Sequence, residues 1–125
     1  PDIIILDMGD KFATAGSERS DIYLKEAAIH ARNIAKKYNC VIIWMSQLSA
    51  EAEGKINVNQ SMLEGSKTGK AAEADLMLLI SKNPDIEGQD SNDPQRHIRL
   101  AKNKLTGWHG TVHVELDVET GRYSA

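Results

Sequence analysis

The chain has 125 residues, of which 41% are hydrophobic, and a formal net charge of −3 at pH 7. That length supports one core, and the small negative charge excludes a global basic field, so any nucleic-acid contact has to come from local lysines. No apolar run approaches the ~20 residues of a membrane span, and the single cysteine, Cys40, excludes an internal disulfide. We therefore expect a cytoplasmic α/β domain without a membrane partner.

Two short apolar runs are each followed by polar side chains. The first run, residues 3–6, precedes Asp7. The second run, residues 41–45, precedes Ser46 and Gln47. Runs this short, rich in β-branched residues and without polar alternation, are typical of strands that are buried on both faces in a parallel sheet covered by helices.

The segment between these runs predicts a helix. Residues 21–38 carry apolar side chains at helical spacing, and Asn39 can adopt the left-handed turn that ends the helix. A connection of this length favours parallel pairing of the two strands through a right-handed crossover. This topology places Asp7 and Gln47 at the same edge of the sheet, where open α/β sheets bind their ligands.

Residues 65–71 are similar to a phosphate-binding P-loop but do not meet its spacing. A P-loop has four residues between its glycines and a Ser or Thr directly after its lysine. Here three residues separate Gly65 from Gly69, and Ala71 takes the place of the hydroxyl residue. We therefore reject a P-loop at this position.

The same residues fall within a polar stretch, 49–70, that predicts a long loop. Loops of this length are functional or disordered. A glycine-containing loop with lysines beside small hydroxyl residues can bind a nucleic-acid backbone through charge and main-chain N–H groups. The candidate DNA-binding residues are Gly65, Ser66, Lys67, Thr68 and Lys70. The alternative is a solvated loop whose lysines are incidental.

The rest of the chain predicts strands. Residues 76–80 form a third apolar run, and residues 97–102 and 112–117 alternate between apolar and polar side chains. The alternation is broken at residues 106–110, which predicts a β-hairpin with one solvated face. A turn at residues 119–121 is expected to return the chain to the sheet.

Asp7 and Gln47 are the candidate phosphate-site residues. An aspartate at the end of a buried strand is the Walker B arrangement, in which a carboxylate holds Mg²⁺, usually through water, beside nucleotide phosphates. The Gln47 amide can donate and accept, which suits sensing a terminal phosphate or orienting a water. Each residue also has a plain structural interpretation, Asp7 as a cap or turn residue and Gln47 as a partner of loop backbone.

Lys102 and Lys104 are two flexible ammonium groups at a strand end that can reach one polyphosphate, although paired lysines on an exposed face are usually only solubilising. The histidines show no spacing typical of a closed zinc site, and we expect them to be ordinary surface or strand residues. They are His30, His97, His109 and His113.

Taken in this order, the segments resemble the RecA-like ATPase core of ring-shaped replicative helicases of the DnaB type, including their phage counterparts. The matching segments are residues 3–7, 31–47, 74–77, 101–107, 110–112 and 120–123. The resemblance implies an α/β fold, the C-terminal half of a RecA-like P-loop NTPase core. It implies a mostly parallel sheet flanked by helices, with a C-terminal β-hairpin.

The resemblance also implies an ATP-dependent DNA helicase that uses ATP and Mg²⁺. Asp7 would be the Walker B acid and Mg²⁺ ligand, and Gln47 would couple phosphate state to DNA contact. Lys102 and Lys104 would reach the nucleotide of a neighbouring, identical subunit in a ring, a hexamer. The loop at residues 65–70 would face single-stranded DNA in the channel. Asp7, Gln47, Lys102 and Lys104 would thus be the catalytic and nucleotide-binding residues.

Two departures from this family pattern affect the interpretation. The family usually has arginine where this chain has Lys104, and a Lys-Asn-Lys sequence is closer to RecA-type recombinases, which remain an alternative. The family's P-loop and water-activating glutamate lie upstream of the Walker B strand, and this sequence contains neither. We therefore expect residues 1–125 to be a single partial ATPase domain, a piece of a longer protein that is inactive alone. A non-enzymatic assembly module of the same fold is the other alternative.

Overall fold

The computed structural model of the chain describes residues 1–14, 20–63, 69–85 and 93–125. The described residues form two compact units. The first unit consists of residues 1–49 and 61–74, and the second of residues 50–60 and 75–125. Four of the predicted DNA-binding residues lie outside the described residues, namely Gly65, Ser66, Lys67 and Thr68.

The first unit is a parallel strand pair with helices. Its elements are β1 (Ile3–Leu6), α1 (Gly9–Thr14), α2 (Ser20–Tyr38), β2 (Val41–Trp44) and α3 (Gly69–Glu73). The strands pair in parallel, with Ile3 opposite Val41 and Leu6 opposite Trp44. The predicted strand, helix and strand order is confirmed, and Asn39 ends α2 with a φ of 48°.

One face of the β1–β2 pair is covered. Ile4 and Ile42 are half-buried and, together with α2 side chains such as Ala31 and Ile34, line an apolar cleft of about 210 Å³. The opposite face is solvent-exposed among the described residues, since Ile5 is 60% exposed and its neighbours on that face are similar. The prediction that both faces are buried is therefore wrong for this part of the chain, because the described residues supply a covering helix on one face only.

The second unit is an antiparallel sheet. Its strands are β3 (Leu76–Lys82), β4 (Gln95–Asn103), β5 (Gly110–Asp117) and β6 (Arg122–Ser124), in that spatial order. The predicted hairpin is confirmed as β4–β5, and the predicted last turn does return the chain to the sheet as β6.

A mostly parallel sheet is not confirmed. Among the described residues β1–β2 is the parallel pair, whereas β3–β4, β4–β5 and β5–β6 are antiparallel. The physical reason is the length of the connections: short turns join antiparallel strands, whereas parallel strands need a crossover of a dozen or more residues. Only the first two strands are separated by such a crossover helix, α2.

The core of the second unit lies on one face of this sheet. Leu79 and Val58 are buried there, and the Arg99 guanidinium and the Ser81 hydroxyl donate hydrogen bonds to the main chain of the segment that carries Val58. Leu78, on the other face of β3, is 62% exposed. None of the helices in the described parts of the chain is long and apolar enough to cross a membrane.

Candidate functional site

Asp7 and Gln47 lie at the same edge of the β1–β2 pair, as predicted from the topology. The backbones remain hydrogen-bonded beyond the last strand residues: Met45 N–H donates to the Leu6 carbonyl at 3.0 Å, and Gly9 N–H donates to the Met45 carbonyl at 3.2 Å. The two segments therefore leave the sheet side by side. Both predicted side chains are exposed at this edge.

The Asp7 carboxylate is suited to Mg²⁺. It is exposed, and it forms no hydrogen bond or ion pair with any residue that the structure describes. Mg²⁺ binds through one or two carboxylates, keeps several waters and takes phosphate oxygens as further ligands. Met8, directly after Asp7, has a φ of 55°, so a non-glycine residue in left-handed conformation makes the turn at the strand end.

A buried polar cluster lies beside this edge. The Asp10 cluster consists of Asp10, Trp44, Ser46 and Lys70. One Asp10 carboxylate oxygen accepts hydrogen bonds from the Trp44 indole N–H at 2.9 Å and the Ser46 hydroxyl at 3.1 Å. The other oxygen accepts from the Lys70 ammonium at 2.7 Å, and the ammonium also donates to the Ser46 hydroxyl at 3.1 Å.

The Asp10 cluster was missed by the sequence interpretation. The Lys70 side chain is only 7% exposed and that of Asp10 is 21% exposed, so both charges are largely removed from water and matched with each other. Two signals were available in the sequence: an aspartate one helical turn after Asp7, and a hydroxyl residue directly before Gln47. Neither signal identifies Lys70 as their partner, and its contact with DNA stays a prediction.

α3 is attached to the rest of the first unit at both ends. Lys70, near its start, binds Asp10 and Ser46 as described. At its end, the Arg32 guanidinium of α2 donates to the Glu73 main-chain carbonyl and lies 4.0 Å from the Glu73 carboxylate. This five-residue helix is therefore fixed by tertiary contacts rather than by its own propensity.

Lys102 and Lys104 flank a buried asparagine at the end of β4. The Asn103 amide donates to the Thr106 hydroxyl and the Trp108 carbonyl, and its oxygen accepts from the N–H groups of Leu105 and Thr106. Asn103 is 9% exposed and uses its full hydrogen-bonding capacity in this turn.

The two lysines themselves differ in exposure. Lys102 is half-buried, while Lys104 is exposed and its ammonium lies 3.7 Å from the Asp75 carboxylate. The backbone N–H of Lys104 also donates to the Asp75 carbonyl at 2.9 Å. The position of Lys104 is therefore set by the residue that precedes β3 as well as by the Asn103 turn.

His97 and His113 form a cross-strand pair rather than two independent surface residues. Their Nδ1 atoms lie 2.7 Å apart, and His97 Nε2 lies 2.8 Å from the Asn83 side-chain oxygen. Because the Asn83 amide group donates to Asp93, its oxygen must accept from His97, so the proton between the rings belongs to His113. Within the described residues no group of three or more His, Cys, Asp or Glu side chains could hold a metal ion.

Two aspartates in the second unit are held in the ionised form. The main-chain N–H of Gln95 and the amide of Asn83 donate to Asp93 and lower its pKa. The Thr120 hydroxyl and the Glu119 N–H lower the pKa of Asp117 in the same way. Both carboxylates are exposed and organise turns at the ends of β4 and β5.

Comparisons with known proteins find likeness in structure rather than in sequence. No known family profile matches the chain, and no curated protein is similar to it in sequence. Among solved structures it is similar to a replicative helicase ATPase domain, with a TM-score of 0.80 and 18% identity over 97% of this chain. It is also similar to a DnaB-like replicative helicase described with its interactions with primase, with a TM-score of 0.78 and 19% identity over 97% of this chain.

The chain spans 43% of the first of these structures and 29% of the second. The likeness is therefore to a part of each, and at this identity it concerns the fold. Over nearly its whole length, the chain has the fold of ATPase domains of DnaB-like replicative helicases.

Proposed function

We propose that this chain is part of an ATP-dependent replicative DNA helicase motor, in which ATP hydrolysis at subunit interfaces drives translocation on single-stranded DNA. The observation that carries the proposal is the pair of polar side chains, Asp7 and Gln47, at adjacent strand ends of this ATPase fold. The edge of a parallel strand pair is where α/β sheets bind nucleotides. Such a motor acts in the cytoplasm as a ring of identical subunits, a hexamer.

In this proposal Asp7 holds Mg²⁺ through water and Gln47 senses the terminal phosphate of ATP. Mg²⁺, when bound, neutralises charge on the phosphate oxygens. The exposed Asp7 carboxylate, with no cation from the described residues beside it, supports this role. Gln47 is exposed at the same edge, and its amide can accept or donate according to whether a phosphate or a water lies opposite.

Lys102 and Lys104 are proposed to contact the nucleotide of a neighbouring subunit. The buried Asn103 supports this role, because it fixes the backbone between the two lysines. Lysine is a point charge on a flexible stem, so these contacts lack the bidentate geometry of an arginine.

The segment at residues 65–70 is proposed to face single-stranded DNA, and residues 1–125 are proposed to be one partial RecA-like domain without a Walker A segment. A chain of this kind does not hydrolyse ATP alone. Saturable, Mg²⁺-dependent ATP hydrolysis by the 125-residue chain itself would contradict this part of the proposal.

The central experiment measures ATP turnover and strand unwinding by the complete protein that carries this chain. Asp7→Ala and Lys102→Ala are expected to abolish turnover. Asp2→Ala and Lys25→Ala are matched controls, because both residues are exposed in the first unit, and these variants are expected to retain it. Normal turnover in Asp7→Ala or Lys102→Ala removes their proposed roles.

The same preparation separates helicase from recombinase. A helicase forms rings and unwinds a forked duplex, whereas a RecA-type recombinase forms filaments and exchanges strands. Lys67→Ala is expected to weaken single-stranded DNA binding while ATP turnover persists. Complete absence of ATPase activity, with assembly intact, would favour a non-enzymatic module.

A further inference from the structure

The chain is attached to the end of β2 on both sides of residues 64–68. On one side, Leu63 forms an antiparallel bridge with Leu48, and Ser49 N–H donates to the Met62 carbonyl at 2.7 Å. On the other side, the Lys70 ammonium donates to the Ser46 hydroxyl. Leu48 and Ser46 are the two neighbours of Gln47 in the sequence. Both flanks of the predicted DNA-binding segment are therefore attached next to the predicted phosphate sensor.

The second attachment extends to the Asp7 turn. Lys70 forms its ion pair with Asp10, which lies in α1, and Ser46 donates to the same carboxylate. The three side chains form a closed arrangement in which each binds the other two. A displacement of Lys70 consequently acts on the segment after β1 and on the segment after β2 together.

The geometry makes Lys70 an unsuitable direct ligand of DNA. Its side chain is 7% exposed, and its ammonium is engaged by a carboxylate and a hydroxyl. To reach a DNA phosphate, the ammonium would have to leave a partly buried carboxylate without its matching charge, which is strongly unfavourable. Lysines that contact the DNA backbone carry their charge at an accessible surface.

We propose that Lys70 and Asp10 form a positioning pair, which transmits the DNA-bound state of the segment before α3 to the Asp7 and Gln47 edge. The inference rests on the proposed function and adds its coupling element. Because Arg32 fixes the other end of the short helix α3 at Glu73, movement of the segment is passed on at Lys70 rather than absorbed by sliding of the helix.

The experiment compares ATP hydrolysis with and without single-stranded DNA in the complete protein. Lys70→Met and Asp10→Asn remove one charge each, and both are expected to reduce the stimulation by saturating DNA about tenfold. Lys25→Met and Asp2→Asn are the matched controls and are expected to retain it. Unchanged stimulation in both Lys70→Met and Asp10→Asn overturns the inference. If the unsubstituted protein shows no DNA-stimulated hydrolysis, the proposed function itself fails.

The salt dependence of DNA binding separates positioning from direct contact. Each lost phosphate contact lowers the slope of log affinity against log salt by about 0.7 for a single strand. Lys67→Met is expected to show this change, whereas Lys70→Met is expected to keep the slope of the unsubstituted protein. A slope reduced in Lys70→Met by the same amount would make Lys70 a DNA ligand and overturn the inference.

A double variant protects the test from misfolding. Asp10→Asn with Lys70→Met removes both charges, so neither remains buried without its partner. It is expected to fold and to show the same loss of stimulation as the single variants. A folded double variant with normal stimulation overturns the inference even if the single variants do not fold.

Discussion

The Lys70 ammonium lies 2.7 Å from the Asp10 carboxylate, and the two side chains are 7% and 21% exposed. The residues are 60 positions apart in the chain, so this pair closes the first unit between α1 and α3. Burial removes the hydration of both ions, and the ion pair and its hydrogen bonds to Ser46 and Trp44 replace it. The strength of the pair therefore depends on both partners being present.

Lys70→Met is expected to destabilise the chain by about 3 kcal/mol, because the Asp10 carboxylate loses the ammonium that matches it. Asp10→Asn leaves the more deeply buried Lys70 ammonium unmatched and is expected to have an effect of similar size. The double variant is expected to lose much less than the sum of the two. Denaturant unfolding of the four proteins measures this coupling free energy, and strictly additive losses would contradict a matched ion pair.

Gly9→Ala is expected to destabilise the chain by about 1–3 kcal/mol through overpacking. A Cβ at Gly9 would lie 2.5 Å from Cε2 of the Trp44 ring, and that ring is held by its hydrogen bond to Asp10. The ring must therefore move and weaken the Asp10 cluster.

Gly110→Ala is the matched control for Gly9→Ala. A Cβ at Gly110 would overlap the Trp108 ring to a similar extent, but that ring is 56% exposed and can turn into solvent. The unfolding free energy of Gly110→Ala is expected to stay within about 0.5 kcal/mol of the original chain. Thermal unfolding measures both variants, and equal losses would contradict the distinction between a fixed and a movable ring.

The first unit could be predicted from sequence where local signals suffice. The apolar runs, the helical spacing of residues 21–38 and the turn at Asn39 fix the order of elements, and chain connectivity alone then places Asp7 beside Gln47. Burial of both strand faces could not be predicted from the runs. An apolar run indicates what a face can bury against, and the other elements of the fold determine whether something covers it.

The Asp10 cluster could not be predicted, because it depends on a contact between distant segments. Lys70 lies in a polar, glycine-containing stretch, a composition that predicts a solvated lysine. Its burial follows from the return of the chain to the end of β2 through Leu63 and Leu48, which no periodicity in the sequence indicates. The role of Asn103 was closer to hand, because asparagine shortly before a Thr-Gly pair is typical of a turn stabilised by its side chain.

The turn between β5 and β6 is expected to weaken in acid. The Thr120 hydroxyl and the Glu119 N–H donate to the Asp117 carboxylate and lower its pKa. The folded chain therefore binds this proton less tightly than the unfolded chain does. The resulting stabilisation is complete above the ordinary aspartate pKa of about 3.9 and is lost as the pH falls through the lowered value.

Carboxyl NMR shifts of Asp117, followed from about pH 6 to about pH 2, measure this titration, where the range is set by the about 3.9 midpoint of a free aspartate. In Asp117→Asn the β5–β6 pairing is expected to lose this pH dependence, because the side chain no longer titrates. Glu119→Gln is the control, since only the main chain of Glu119 takes part in the turn. A midpoint at or above the ordinary value would contradict the proposed hydrogen-bond stabilisation of the carboxylate.

Asn103→Ala is expected to destabilise the chain by about 2 kcal/mol, because the N–H groups of Leu105 and Thr106 and the carbonyl of Trp108 lose a partner in a partly buried turn. Asn103→Asp keeps the two acceptor interactions but places a carboxylate oxygen against the Trp108 carbonyl, so it is expected to rescue only part of the loss. Asn33→Ala, on the exposed surface of α2, is the control and is expected to cause no loss.

Denaturant unfolding and hydrogen exchange of the β4–β5 hairpin measure these three variants. Because Asn103 lies between Lys102 and Lys104, faster exchange in Asn103→Ala should be concentrated at the end of the hairpin that carries the two lysines. In the complete protein, that loss of order predicts reduced ATP turnover, although both lysines are unchanged. Full turnover together with a disordered hairpin end would show that the reaction does not depend on how this turn positions Lys102 and Lys104.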